Sequence, residues 1–254
     1  MTIEFAPGAI VAFFLALVRA SSWVAIAPPF NSKMIPVQVK VGIAAALAVA
    51  VTPSLSKHIG PVSLGTPELI GAVALQVGAG LALGFVAFLI MSAVQTAGSF
   101  IDLFGGFTLA QAYDPFSNAQ SSMFSRIYQL LATTLLFAID GHLLLVRGFM
   151  SSFDSVGITG MHMSGLSDLL LRDTSLFFVS ALEIAGPLLA ALFLTEIVLG
   201  LLSRAAPQMN VFALGFPLKI LVTLLLAGVA LPLLPDAVSN LVHEAVRSGA
   251  AVVH

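Results

Sequence analysis

Four charged side chains of this 254-residue chain lie inside long apolar stretches: Arg19, Asp140, Glu183 and Glu196. A charge in such a stretch costs about 2.5 to 3.5 kcal/mol on insertion scales, so it indicates a site, a pathway or an ion pair. Arg19 needs a carboxylate, backbone carbonyls or water, and we predict Glu183 or Glu196 as its partner. Two interpretations stay open: a proton or ion relay, and a buried pair that only orients helices.

The patterns that mark enzymes and metal sites are not found in this sequence. Glu183 and Glu196 are thirteen positions apart, about 140° around a straight helix, and do not form a paired-carboxylate site. The five His residues show no His-Glu-x-x-His spacing, and the chain has no Cys. Walker and dinucleotide-binding glycine motifs are also lacking. We therefore expect a non-enzymatic chain with no cofactor and no bound metal.

The composition is typical of a membrane protein. Hydrophobic residues make up 59% of the chain and charged residues only 9%, with a mean hydropathy of +1.06. A soluble domain has about a quarter charged residues, so these charges cannot cover a surface that faces water. The net charge of -2 and the lack of a basic block exclude nucleic acid as a partner. Most of this chain must be surrounded by lipid or by other proteins.

The apolar stretches predict an all-α, integral-membrane type of fold, since about 20 helical residues cross a bilayer core. We predict one helical domain over residues 1–235 and a short amphipathic C-terminal tail over residues 236–254. The loop lysines and arginines divide equally between the two sides, so loop charge does not set the orientation. The six predicted helical segments are residues 7–27, 37–55, 67–101, 126–146, 174–202 and 212–234.

The third segment is too long for a simple crossing, because residues 69–101 would extend about 50 Å as a straight helix. Its small residues lie on two opposite faces, so we expect neighbouring helices to approach closely on both. Pro187 is predicted to kink the fifth segment near its middle. The small residues are Gly71, Ala74, Gly78 and Ala82 on one face and Gly80, Gly84 and Ala87 on the other.

The connector, residues 102–122, joins the third and fourth segments and is long and rich in aromatic residues. Gly105 and Gly106 free its backbone for hinge motion, and Asp114-Pro115 favours a turn. Irregular backbone at membrane depth survives only where protein buries it or where it lines a cavity. We therefore expect the connector to line or block a passage. The alternative is a surface loop whose aromatic side chains rest on lipid headgroups.

A specific string, residues 203–219, joins the last two segments. It resembles the signature of the FliR/SctT family, the export gate subunit of flagellar and virulence type III secretion. Three other places agree with the family pattern, at residues 19–40, 114–126 and 141–142. The residues that carry the signature are Arg204, Pro207, Gln208, Asn210, Phe212, Pro217 and Lys219.

The resemblance implies a non-enzymatic subunit that joins FliP-like and FliQ-like subunits in a helical ring around a secretion pore, beside FlhA-like and FlhB-like export components. Its helices would form hairpins lifted largely out of the bilayer, and its cargo would be unfolded secreted proteins. The implied location is the bacterial inner membrane at the flagellar basal body, because the Gly-Phe-Pro ending at residues 215–217 favours the flagellar branch.

The family's pore plug corresponds here to residues 106–122. On the strength of the resemblance we transfer that role to the following residues of the connector: Phe107, Tyr113, Asp114, Pro115 and Phe116.

A stand-alone secondary transporter is the alternative, with Arg19, Glu183 and Glu196 binding substrate or protons. Such a carrier would need broken helices in both halves of the chain. Pro187 supplies a break in one half only.

Overall fold

The computed structural model describes residues 7–58, 66–108, 123–155, 166–208 and 210–253. Regular structure in these ranges is helical, with no β-strand, which confirms the predicted all-α fold. A short 3-10 helix, Leu231–Leu233, precedes the last α-helix. The α-helices are α1 (Pro7–Ile26), α2 (Val37–His58), α3 (Thr66–Phe104), α4 (Met123–Ala138), α5 (Gly141–Ser155), α6 (Leu166–Ala205), α7 (Val211–Ala230) and α8 (Leu234–Val253).

Two of the helices are much longer than a bilayer core is thick. α3 has 39 residues and α6 has 40, and α6 continues through Pro187. At 1.5 Å per residue each is about 60 Å long, roughly twice the hydrocarbon thickness. Within the described ranges, five helical stretches are long and apolar enough to cross a membrane, or six if α4 and α5 form one span.

The fourth segment was predicted as one helix over residues 126–146, and this prediction is wrong. α4 ends at Ala138 and α5 begins at Gly141. Asp140 lies between them with φ 55°, in the left-handed region that Asp tolerates better than most residues. Its carbonyl accepts the N–H of Leu143 at 3.0 Å and so starts the first turn of α5. Apolar residues resume directly after Asp140-Gly141-His142, so the length of the apolar stretch alone did not reveal the break.

The chain folds into two compact units. The first unit comprises Met1–Ile90, Asp140–Thr174 and Leu241–His254, and the second comprises Met91–Ile139 and Ser175–Asn240. α3, α6 and α8 each contribute residues to both units. The predicted boundary between residues 235 and 236 stays a prediction about domain organisation.

In the first unit, α1 and α2 pack against each other as a hairpin. Their buried residues recur every three or four positions, which places them on one stripe of each helix. Most of these residues are small, so the two helices can pack closely. The buried stripes are Ala12, Leu15, Ala16 and Ala20 on α1 and Ala44, Ala48, Val51 and Leu55 on α2.

The C-terminal helix α8 has a buried side and an exposed side. Val242 and Ala245 are buried, whereas His243 and Arg247 on the opposite side are exposed. Within the first unit the side chain of Val246 lies over Gly148 of α5. Because its apolar side faces other helices of this chain, the last helix is part of the packed structure.

One of the two small-residue faces of α3 packs tightly, as predicted. A Cβ atom at Gly80 would lie 2.9 Å from the Cβ of Ser22, and one at Gly84 would lie 3.1 Å from the carbonyl oxygen of Trp23. These distances place α1 directly on this face of α3. On the opposite face, a Cβ at Gly71 would meet no described atom within 4 Å. Close approach is therefore confirmed on one face only.

We expect Gly80→Ala to destabilise the protein, whereas Gly78→Ala leaves its stability unchanged or slightly higher. The added methyl group at Gly80 would press on the backbone of α1 at Arg19, at a typical overpacking cost of about 1 to 3 kcal/mol. At Gly78 the methyl meets open space and improves helix propensity. Thermal unfolding of both variants in the same detergent measures the difference. Equal midpoints would contradict the assigned α1–α3 contact.

Candidate functional site

Asp102, which the sequence predicted as the start of the connector, lies in the last turn of α3 and holds the beginning of α4. Its side chain is fully buried, and its Oδ1 and Oδ2 atoms accept the backbone N–H groups of Phe124 at 3.0 Å and Ser125 at 2.9 Å. The first N–H groups of a helix have no partner within the helix, and a carboxylate matches the positive end of the helix dipole. Asp102 therefore caps α4 from more than twenty residues away in the sequence.

Gly98 brings the backbones of α3 and α4 into contact beside this cap. A Cβ at position 98 would lie 2.6 Å from the carbonyl oxygen of Phe124 and 2.8 Å from the Cα of Ser125. Only glycine permits so close an approach. Gly98 lies four residues before Asp102, on the same helical face. Both residues therefore hold the same turn of α4.

The chain leaves α3 through Gly105 and Gly106. The Gly105 N–H donates to the carbonyl oxygen of Ile101 at 2.8 Å, and a Cβ at Gly105 would lie 2.8 Å from Oγ1 of Thr223 on α7. Gly106 has a φ of 84°, which favours glycine. Both glycines therefore shape a tight exit from α3 in this conformation. Their predicted role as a hinge stays a prediction.

Phe107 is the predicted plug residue that the structure describes. Its ring packs edge to face on the ring of Phe124, with the centroids 5.2 Å apart. The base of the connector thus includes an aromatic contact in addition to the Asp102 cap. The plug role itself stays a prediction, and the other predicted plug residues lie outside the described residues: Tyr113, Asp114, Pro115 and Phe116.

Arg19 forms a separate polar cluster in the core of the first unit. Its side chain is buried; Nε donates to Oε1 of Gln76 at 2.6 Å, and Nη1 donates to the carbonyl oxygen of Ser152 at 3.1 Å. The guanidinium carbon lies 4.2 Å from the centroid of the Phe153 ring, a cation–π geometry. The sequence allowed a carboxylate, backbone carbonyls or water as partners of Arg19, and the structure shows a backbone carbonyl, that of Ser152. These contacts join α1, α3 and α5.

The two predicted glutamate partners of Arg19 lie on α6, in the second unit. Glu196 forms an ion pair with Lys219 of α7, and the lysine side chain is the more buried of the two. Glu183 is exposed. Pairing of Arg19 with either glutamate stays a prediction. The described residues hold no group of three His, Cys, Asp or Glu side chains that could bind a metal.

The signature string forms the turn between α6 and α7. Asn210 caps α7, with its Oδ1 accepting the N–H of Ala213 at 3.1 Å. Arg204 lies in the last turn of α6, where a cation is favourable. The cap explains why an Asn lies where α7 begins, and the helix dipole explains why an Arg lies where α6 ends. Of the remaining signature residues, the exposed ones are Pro207, Gln208 and Pro217, and the side chain of Phe212 lies outside the described residues.

A family model described as bacterial export proteins, family 1, matches residues 10–245. The chain belongs to this family. The flagellar biosynthetic protein FliR of Bacillus subtilis (strain 168) is 31% identical over 250 residues, covering 95% of each chain. The FliR protein of Escherichia coli (strain K12) is 32% identical over 233 residues, covering 91% of this chain and 88% of the relative. The resemblance to the FliR family is thereby confirmed.

The residues that organise both polar clusters could not be identified from the sequence. Asp102 could be placed only at the start of the connector, because capping rules search next to a helix start and not on another helix. Gln76 and Ser152 were missed because a single amide and a single hydroxyl in apolar helices carry no spacing signal. The one available signal was the cost of burying Arg19, which requires partners of some kind.

We expect Arg19→Met to lower the stability of the protein by about 1 to 3 kcal/mol, since it leaves Gln76 and Ser152 without their buried donor. Arg147→Met is the matched control, because Arg147 is exposed on α5 and should tolerate the same change. Adding Gln76→Leu to Arg19→Met should cost less than the sum of the single changes. Thermal unfolding in detergent measures all four variants. Strict additivity would argue against the contact.

Proposed function

We propose that this chain is a non-enzymatic subunit of the flagellar protein export gate in the bacterial inner membrane, at the flagellar basal body. The chain is a membrane-type component of the flagellar export apparatus by its family and its apolar helices. The family match over residues 10–245 is the observation that carries the proposal. The names of the relatives give no support to a stand-alone transporter.

Exposed apolar faces support assembly with other subunits. Helices about 60 Å long extend well beyond a ~30 Å hydrocarbon core, so lipid alone cannot cover them. We propose that FliP-like and FliQ-like subunits pack on these faces and that FlhA-like and FlhB-like components are further partners. Large exposed side chains on α6 and α7 are Phe193, Leu194, Val198, Leu201, Leu214, Leu221 and Leu225.

In this proposal the connector closes the pore while no cargo passes. Aromatic side chains in a narrow channel exclude water and ions by close packing and dewetting. Phe107, Tyr113 and Phe116 are the aromatic residues offered for this role. An unfolded secreted protein would displace the connector during export. What supports this proposal is the base of the connector, where close contacts hold α3, α4 and α7 together.

We expect deletion of residues 106–122 to make the assembled gate leaky to ions, because the proposed plug is removed. Changing Tyr113 and Phe116 to Ser should also raise the ion current, and this double substitution keeps the length of the connector. Conductance of purified assembled gates in planar bilayers provides the measurement.

The matched control changes Asn118 and Gln120, two polar residues of the connector, to Ser. It replaces the same number of residues without removing an aromatic side chain. We expect this variant to conduct as little as the wild type. A deletion variant that assembles fully and conducts no more than the wild type would exclude the plug.

A further inference from the structure

We propose that Glu183 forms an ion pair with an arginine of a neighbouring subunit, on an exposed face of α6. This inference rests on the proposed function, because it needs a chain that assembles with other subunits. It adds the chemistry of the partner, which is a helix that carries a guanidinium group opposite Glu183 on an otherwise apolar contact face.

Glu183 is an acid on an apolar surface. It lies about 18 Å along α6 from Leu171, where the stretch that is apolar enough to cross a membrane begins. A glutamate side chain is too short to reach water over that distance. Glu183 is exposed and forms no hydrogen bond or ion pair with another described residue. A charge in an apolar medium is costly without a partner, so this acid needs a cation.

The other membrane-type glutamate of α6 has its cation within the chain. Glu196 forms an ion pair with Lys219 of α7. Both glutamates lie in the second unit, on the same helix and in the same apolar stretch. Among the described residues Glu183 has no equivalent of Lys219. Its counter-charge is therefore expected from another chain.

Pro187 provides a second acceptor at the same place. It lies inside α6, four residues after Glu183, and has no N–H, so it cannot donate the helical hydrogen bond to the carbonyl oxygen of Glu183. A carboxylate and a backbone carbonyl of one residue thus both lack a usual donor. A guanidinium presents several N–H donors in a planar fork, whereas an ammonium is a compact point charge. Arginine therefore fits both acceptors better than lysine.

The face around Glu183 is suited to a helix of another subunit. A Cβ at Gly186 would meet no described atom within 4 Å, so a partner helix can approach the backbone of α6 closely beside the acid. Apolar residues on both sides would keep water away from the ion pair and so strengthen it. The exposed residues that share this face at helical spacing are Val179, Pro187, Ala190, Leu194 and Leu201.

Three variants separate the charge of the side chain from its size. Glu183→Gln keeps the size and removes the charge, and Glu183→Arg places a cation opposite the proposed arginine. Asp236→Arg is the matched control, because Asp236 is also an exposed acid but lies in the first turn of α8, away from this face. Each variant is expressed together with the FliP-like and FliQ-like subunits.

The first measurement is the fraction of this chain found in the detergent-extracted complex by native mass spectrometry. We expect Glu183→Arg to lower this fraction about tenfold or more, as the loss of one partner of a desolvated ion pair implies. Glu183→Gln should give an intermediate loss, and Asp236→Arg should match the wild type. Assembly of Glu183→Gln at the wild-type level would overturn the proposal, because the charge would then have no role.

Thermal unfolding of the isolated chain in detergent distinguishes an interface from a folding defect. We expect the wild type and Glu183→Gln to unfold at the same temperature, since no described residue pairs with Glu183. A lower midpoint for Glu183→Gln that accounts for its loss of assembly would show a role in folding and overturn the proposal.

Photo-crosslinking identifies the cation. A benzoylphenylalanine in place of Ala190 is activated in the assembled gate, and the crosslinked segment is identified by mass spectrometry. We expect a segment of another subunit that contains an arginine, and a change of that arginine to Glu should restore assembly of Glu183→Arg. Crosslinks to a segment without arginine would overturn the proposal. Restoration by Arg19→Glu instead would also overturn it, in favour of an ion pair within this chain.

The two proposals fail in different ways. If the wild-type chain assembles with the gate subunits and Glu183→Gln assembles equally well, the proposed function stands and the role of Glu183 is excluded. If the chain assembles only with membrane proteins that take no part in flagellar export, and this assembly needs Glu183, the export function is excluded and the ion pair stands. A wild-type chain that is extracted only as a monomer would exclude both.

Discussion

A buried charged side chain is costly unless other protein groups form hydrogen bonds with it, and this constraint shapes the helix junctions of the protein. Two buried charged side chains meet this constraint in different ways. The Asp102 carboxylate accepts hydrogen bonds from two backbone N–H groups at the start of α4. Arg19 donates to the Gln76 amide oxygen and to the Ser152 carbonyl oxygen. Each joins elements that are distant in the sequence. In a medium where an unpaired polar group is costly, such contacts also specify which helices meet.

Glycine makes these contacts geometrically feasible. At Gly80 and Gly98 one helix approaches the backbone of another so closely that a single methyl group would not fit. Without a strong hydrophobic driving force between helices in lipid, close backbone packing is a principal source of association. The polar contacts of Arg19 and Asp102 occur next to these two glycines. Small residues and polar partners therefore act together at each helix junction.

Uncovered apolar surface connects this fold with the proposed export function. α3 and α6 exceed the thickness of a bilayer core, and the Gly71 face of α3 has no close neighbour among the described residues. A chain of this kind is suited to a multi-subunit assembly, in which neighbouring subunits replace lipid as the surrounding medium.

The amino-acid sequence by itself determined the helical class, the approximate bounds of most helices and the family. Apolar length and residue type are local properties, so they can be read without coordinates. The break at Asp140, the partners of Arg19 and the cap by Asp102 were decided only by tertiary structure. A helix break inside a long apolar segment, or a carboxylate that caps a different helix, depends on which segments meet in space. The spacing of residues along the chain does not show which segments meet.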